Sequence, residues 1–374
     1  MTEYQIGEVW QDSADAYQDY ILPLVSRTFA LTIPQLPEEL ARVVGNAYLL
    51  CRIADTIEDE PSLDVAQKTE FEQTLMNVVA AHSPAEALAA QILPVLSSAT
   101  LPAEHDLVRQ LDLVIEVTHS FNEVQQHAMV RCITVMGHGM HRFQLQASPK
   151  GLADHQELDS YCYCVAGVVG EMLTTLFCAH SSKIAANGKR LQRHAVSFGQ
   201  GLQMTNILKD QWDDRARGVC WLPREVFVRH GVDAEALAAG RWSDGYVKAM
   251  HEMVGVAHAH LRNAMSYTLA MPAEEKGIRR FCCWAIGLAL LTLRNIHCTP
   301  GFTAGNQVKV TRKALATTIM MTNMAVGSDI ALTRLFNWIA RDLPLMPLAE
   351  SWSTTPTHPA PPAAAMTTID AALK

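Results

Sequence analysis

Two segments of this chain place carboxylates four residues apart on helical surfaces. After Pro37-Glu38-Glu39, residues Leu40, Val43, Val44, Ala47, Tyr48 and Cys51 recur at three- and four-residue spacing, the stripe expected of a helix facing a core. Stepping on by four from Cys51 reaches Asp55 and then Asp59, with Glu58 beside them, so carboxylates are expected to take over the inward face in its last two turns. Like charges at that spacing repel and their burial costs more, so DTIED calls for a cation, for a polar cavity, or for a helix that emerges into solvent before Pro61. Hard oxygen donors suit Mg²⁺, which takes one or two protein carboxylates, keeps waters and spends other positions on phosphates. In the run Phe198 to Asp214 a helical projection puts Gln203, Asn206, Asp210 and Asp214 on one side and Leu202, Met204, Thr205, Leu208 and Trp212 opposite. Alone this is an amphipathic helix with a solvated polar face. The pairing of two DxxxD segments instead predicts two acidic helix ends facing each other across a helical bundle and holding Mg²⁺ against a diphosphate. The chemistry served is ionisation, with metal charge neutralising the leaving diphosphate while apolar walls keep water from the carbocation.

The elements that must position these groups are helices. From about residue 16 to 343 the sequence is Ala-, Leu-, Met-, Gln- and Glu-rich with 3.6-residue periodicity and no strand-like alternation. Breaks fall at Pro34–Pro37, Pro61-Ser62, Ser83-Pro84, Pro94–Pro102, Ser148–Gly151, Asn187-Gly188, Gly218–Pro223, Gly240–Gly245, Met271–Gly277 and Thr299–Gly305. None resembles a linker, so an all-α, single-domain bundle is expected over 16–343, between a loose start (1–15) and a Pro/Ala-rich tail (344–374). Gly199-Gln200-Gly201 follows no strand and lacks a third glycine, which argues against a dinucleotide loop.

Composition bounds the partners. In 374 residues, Lys+Arg 30 against Asp+Glu 38 gives a net charge of −8, the wrong sign for nucleic-acid binding through a diffuse basic surface. Nine irregularly spaced cysteines fit reduced thiols and a cytoplasmic protein. The start carries no signal-peptide pattern, and the apolar stretch Phe281–Leu293 is short of the roughly 20 residues that span a bilayer. His251-Glu252 with His258 lacks the HExxH spacing, so no zinc is assigned.

Five ordered stretches, VSRTFALTI from Val25, YLLCRIADTIED from Tyr48, MGHGM from Met136, YCYCVAGVVG from Tyr161 and LQMTNILKDQWDD from Leu202, closely resemble the squalene and phytoene synthase family of head-to-head isoprenyl diphosphate synthases. The likeness covers Tyr20 to Pro344 and implies the family's helical fold around a central cavity. Position by position it makes Asp55, Asp59, Asp210 and Asp214 the Mg²⁺ ligands, with Glu58 and Asn206 in support. Ser26 and Arg27 match the SR dipeptide that grips diphosphate, and Phe29 shares their loop. Tyr48 and Arg52 match the residues preceding the first acidic motif, and Gln203 and Lys209 lie beside the second. Tyr161 matches the tyrosine given a proton-transfer or cation-stabilising role. Phe281 is expected in the cavity wall or in the core.

Three features of the resemblance favour the squalene branch, which adds an NADPH-dependent reduction: DTIED, MGHGM, and VKVTRKALATTIMMTN from Val308, which resembles that branch's basic segment and Met-Met helix. Lys309 and Arg312 are then the candidates for an NADPH phosphate, with Lys209 and Asn206 nearby. Lys209 stands where the family usually has Arg, keeping charge but losing the fork, and the spacing from Lys309 to Arg312 is one residue longer than in the family pattern. The C-terminal anchor of eukaryotic members is not seen, which points to a bacterial protein. The expectation is a monomer that joins two farnesyl diphosphates to presqualene diphosphate and reduces it to squalene, with at most peripheral membrane contact. The alternatives are a phytoene or dehydrosqualene synthase, and an inactive assembly factor.

Overall fold

The structure, a computed structural model, describes residues 13–26, 28–240 and 242–348. Arg27 and almost all of the stretches expected to be loose, 1–15 and 344–374, therefore lie outside the described residues. The first helix, Ala14–Val25, starts at the edge of the former because Ser13 caps it, its Oγ accepting from Ala16 N at 3.1 Å. Among the described residues the regular elements are helices, joined by a single isolated bridge between Leu152 and Pro223. The expected all-α class is what is found.

By packing, the chain falls into two compact units. Among the described residues, the first contains those up to Gln144 together with Thr175–His180, and the second contains Leu145–Thr174 and those from Ser181 onward. No Pro- or Gly-rich linker marks this division.

In the first unit the long helix Glu38–Asp59 is central. Leu40, Val43, Val44 and Ala47 are buried as their spacing predicts. In the last two turns, however, the inward positions are Ile53, Ala54 and Ile57 rather than the carboxylates. Four residues advance a helix by one turn plus roughly 40°, so a row followed in steps of four drifts around the cylinder. At Asp55 it is half-buried and at Asp59 exposed, with Glu58 half-buried beside them. Glu60 then ends the helix: it accepts from Ser62 N (2.9 Å), Ser62 Oγ (2.7 Å), Ser97 N (2.9 Å) and Thr100 Oγ1 (2.7 Å). These donors hold its carboxyl low, at about 2, against the opposing effect of burial.

In the second unit the helix Gly188–Ala216 packs along Asp244–Ala270 and against the turn Tyr163–Gly167. Small residues set that approach. A β-carbon on Gly199 would overlap the Ala166 carbonyl oxygen, and one on Gly170 would overlap that of Ala195. The glycines that superficially resembled a dinucleotide loop thus serve helix contact. Beyond Lys276–Cys298 comes a hairpin of helices, Arg312–Ala325 and Asp329–Ala340. Buried Arg279 ties its loop down, donating to Met271 O (2.6 Å) and Val326 O (3.3 Å) and pairing with Asp329 at 2.8 Å. Two helical stretches, His155–His180 and Lys276–Cys298, are long and apolar enough by length and composition to cross a membrane, and half or more of each is buried.

Candidate active site

In the first unit, the side chains around the first acidic motif are organised by Arg52. Its Nη2 donates to Tyr48 Oη at 3.2 Å, and Tyr48 Oη donates in turn to Val25 O at 3.1 Å. Its Nη1 lies 3.7 Å from Glu104 Oε1 and 3.9 Å from Asp55 Oδ2, while its buried Nε has no hydrogen-bond partner. Phe29 packs on Tyr48 with ring centroids 5.3 Å apart. Ser26 is buried, and its Oγ accepts from Phe29 N (3.0 Å) and Ala30 N (3.3 Å), so it starts the short helix Phe29–Thr32 and keeps its proton for another acceptor. Ser26, Phe29, Tyr48, Arg52 and Asp55 are thus linked by contacts through Val25. Glu104, from the helix Pro102–Arg109, was missed by sequence reasoning: it pairs with Arg52 across 52 residues, and no local pattern announces it.

The electrostatics of this cluster are those of carboxylates short of positive charge. The Asp55 side chain is 37% exposed, yet surrounding protein pushes its carboxyl up to about 6; Arg52 opposes this, and Asp59 and Glu104 add to it. Burial also drives Glu58 well up, with Asp55, Asp59 and Glu72 contributing and Lys68 opposing. Lys68 Nζ donates to the Glu58 carbonyl oxygen.

The second cluster lies on the last turns of Gly188–Ala216. Lys209 Nζ is 3.1 Å from Asp210 Oδ2 and 3.3 Å from Asn206 Oδ1. Burial raises Asp210, Lys209 opposes, and Asp213 pushes the same way as burial. Asp214 is buried and bound to Arg217 Nη2 at 2.7 Å, whereas Asp213 is exposed. Asp213 is the second residue missed. The signal was available, because DTIED and DQWDD share one spacing and Asp213 corresponds to Glu58. Gln203 is half-buried one turn earlier.

A strap carrying the basic candidates crosses this helix end. Trp212 Nε1 donates to Phe302 O at 2.7 Å, and Asn295 Nδ2 donates to Val308 O at 3.0 Å. Between them Gly305 sits so close that a β-carbon there would be 3.0 Å from Asp210 Oδ1 and 3.6 Å from Asp213 Oδ2. Lys309 follows four residues later and is exposed, as is Arg312, the first residue of a helix capped by Thr311. Exposed cations at a helix N-terminus suit a phosphate.

Tyr161 is buried on the helix His155–Cys162, its ring stacked on Trp221 at 4.1 Å and 8°; Trp221 had no sequence signal. The helix then widens into a π turn, Tyr163–Gly167, a distortion that recurs at functional sites. Gln200 Nε2 donates to Asp159 Oδ1, joining the tyrosine's helix to the second acidic helix. Burial pushes Asp159 up to about 7 against that bond. Phe281 is buried in Lys276–Cys298, while Cys283, Ile286, Gly287 and Leu290 on that helix line an apolar cavity.

Among the described residues no three His, Cys, Asp or Glu side chains converge as a metal cage. The donors nonetheless fit Mg²⁺, which needs only one or two carboxylates. Asp55 and Asp210 are both raised, half-buried and flanked by further acids, a repulsion that a divalent cation relieves.

Comparison with known proteins shows what the chain is similar to. The squalene synthase of Eremothecium gossypii is 26% identical over 292 residues, 76% of this chain and 62% of that protein. That of Mus musculus is 27% identical over 305 residues, 80% and 68%. The phytoene synthase of Thermus thermophilus is 38% identical over 124 residues, 33% and 40%. The chain therefore spans about six-tenths to two-thirds of the length of these squalene synthases. In fold, a solved ligand complex of TcSQS matches with a TM-score of 0.71 at 21% identity, covering 96% of this chain and 99% of that one. A dehydrosqualene synthase with ligand matches at 0.58 and 22%, covering 82% and 94%. The squalene/phytoene synthase family model runs through residues 22–314, enclosing both acidic motifs, Tyr161 and Arg52, and the chain belongs to that family.

Proposed function

We propose that this chain is a squalene synthase, joining two farnesyl diphosphates into presqualene diphosphate and reducing that intermediate to squalene in the cytoplasm as a monomer. Asp55, Asp59, Asp210 and the Arg217-bound Asp214 would hold Mg²⁺, with Glu58, its counterpart Asp213, and Asn206 in support. When bound, Mg²⁺ supplies positive charge to the departing diphosphate. Arg52, fixed between Tyr48, Asp55 and Glu104, orients diphosphate oxygens together with the Ser26 hydroxyl and Arg27. Tyr161, its ring held by Trp221, presents a hydroxyl to the cation and to the proton lost as the cyclopropane closes. Lys309 and Arg312 would take an NADPH phosphate, and NADPH supplies the reducing equivalents of the second half-reaction.

The observation that supports the squalene branch over its neighbours is the strap, which Trp212 and Gly305 anchor beside the second acidic cluster just before the two basic residues. The phytoene synthase stretch of higher identity supports the second reading, the same condensation without reduction. The test is incubation of the purified protein with farnesyl diphosphate and Mg²⁺, with and without NADPH. Squalene appearing only with NADPH is expected. A hydrocarbon pattern indifferent to NADPH selects the second reading, and no condensation at all leaves the inactive relative.

A further inference from the structure

Large apolar side chains exposed to solvent gather on the C-terminal helical hairpin. Met320 and Met324 (83% exposed) lie on Arg312–Ala325, and Ile330 (66%) and Trp338 (49%) on Asp329–Ala340. These are not core residues: the inward sides are Thr318, Thr322 and Ala325 on one helix and Leu332, Phe336 and Ile339 on the other. Ile330, Arg334, Trp338 and Arg341 form a single row at helical spacing, with the Arg341 guanidinium 5.9 Å from the Trp338 ring centroid. The acids of the hairpin are already occupied, Asp329 by Arg279 at 2.8 Å and Asp342 by Arg341 at 3.1 Å. Lys313 and Arg334 are exposed and have no acidic partner among the described residues. On a chain of net charge −8, this face is locally positive and apolar.

We propose that the outer face of this hairpin docks on a bilayer surface containing anionic phospholipid. Methionine and isoleucine side chains would enter the acyl boundary, tryptophan would sit at headgroup level, and the basic side chains would reach the phosphates. Charge selects this occupant over a second copy of the chain. A twofold contact sets a patch against itself, which would bring Lys313 and Arg334 of both copies into one dry interface without counter-ions. Arg279 holds the hairpin in place, so the face is presented ready-made. The inference rests on this surface alone and does not require the proposed reaction.

The test is co-sedimentation of the full chain with phosphatidylcholine vesicles, with and without phosphatidylglycerol, and sedimentation velocity in their absence. Binding that requires phosphatidylglycerol and weakens with salt is expected. Met324→Glu/Ile330→Glu should weaken it about tenfold or more without changing the far-ultraviolet dichroism. Should that variant fold poorly, Lys313→Ser/Arg334→Ser, which leaves the apolar residues intact, should still abolish the preference for anionic vesicles. Failure of the parent protein to bind anionic vesicles overturns the proposal, as does undiminished binding by folded forms of both variants. A parent dimer that Met324→Glu/Ile330→Glu converts to monomer would assign the face to a second copy and also overturn it.

Discussion

Arg52 shows what single residues contribute here. One guanidinium serves a tyrosine hydroxyl and two carboxylates, yet burial, with Asp59 and Glu104 adding to it, leaves Asp55 raised to about 6. The sign follows directly: the folded state holds the Asp55 proton above the usual aspartate value of 3.8, so its ionisation costs stability that grows from there to about pH 6 and persists above. Asp55→Asn is therefore expected to abolish turnover while raising Tm slightly at pH 7 and leaving it unchanged near pH 4, as read by calorimetry at the two pH values. The cost is small because the side chain is partly solvated. Tyr161 gives a second expectation. Its ring is already fixed by Trp221, so Tyr161→Phe removes the hydroxyl without loosening the site. Formation of the condensed intermediate should fall at least tenfold while farnesyl diphosphate binding stays within about twofold, and an unchanged rate in single-turnover measurements would return the residue to packing.

At the scale of elements, two helix contacts carry consequences. Glu72, on the helix Val65–Val79, is buried with both carboxylate oxygens unpartnered, and burial pushes it up to about 8 against the opposing charge of Lys68. Between the ordinary glutamate value of 4.5 and about 8 the folded state keeps a proton that the unfolded chain has released, so stability declines as pH rises through that window. Glu72→Met removes the penalty, and its gain in Tm should be larger at pH 8 than at pH 5; an equal gain at both would show that the side chain does not titrate there. The Gly170/Ala195 and Gly199/Ala166 contacts set the distance between the tyrosine's helix and the second acidic helix. Gly199→Ala must push backbone from backbone, costing about 2 kcal/mol or more, and should lower both Tm and the rate at saturating substrate. A surface change such as Lys248→Ala should move neither.

At the scale of the whole molecule, one acidic motif lies in each unit, and the proposed ionisation draws on both motifs. Groups that act as a unit are non-additive. Asp55→Asn and Asp210→Asn should each reduce turnover to near background, and the double variant should lose little more than either alone. Multiplicative losses in residual activity would mean that the motifs serve separate steps. The Arg279→Met variant bears on the same scale, since it releases the hairpin loop and leaves Asp329 without its buried partner.

The all-α class, the helix breaks named from Pro and Gly, the family and the two acidic motifs were legible in the sequence, because periodicity, Pro and Gly punctuation and short-range spacing are local properties of a helix; the breaks at 110, 120–122, 181 and 326–328 were not anticipated. The symmetry of DTIED and DQWDD, which sets Asp213 at the place of Glu58, is legible too. Which face the carboxylates occupy was not legible, since the 40° drift per four-residue step accumulates and only packing shows where the core ends. Glu104 beside Arg52, Trp221 beneath Tyr161, Gln200 bonded to Asp159 and the strap on Trp212 each join residues far apart in the chain. Contacts of that kind leave no periodic trace, because they are chosen by the close approach of whole helices, and that approach was decided by tertiary packing at a few glycines and alanines.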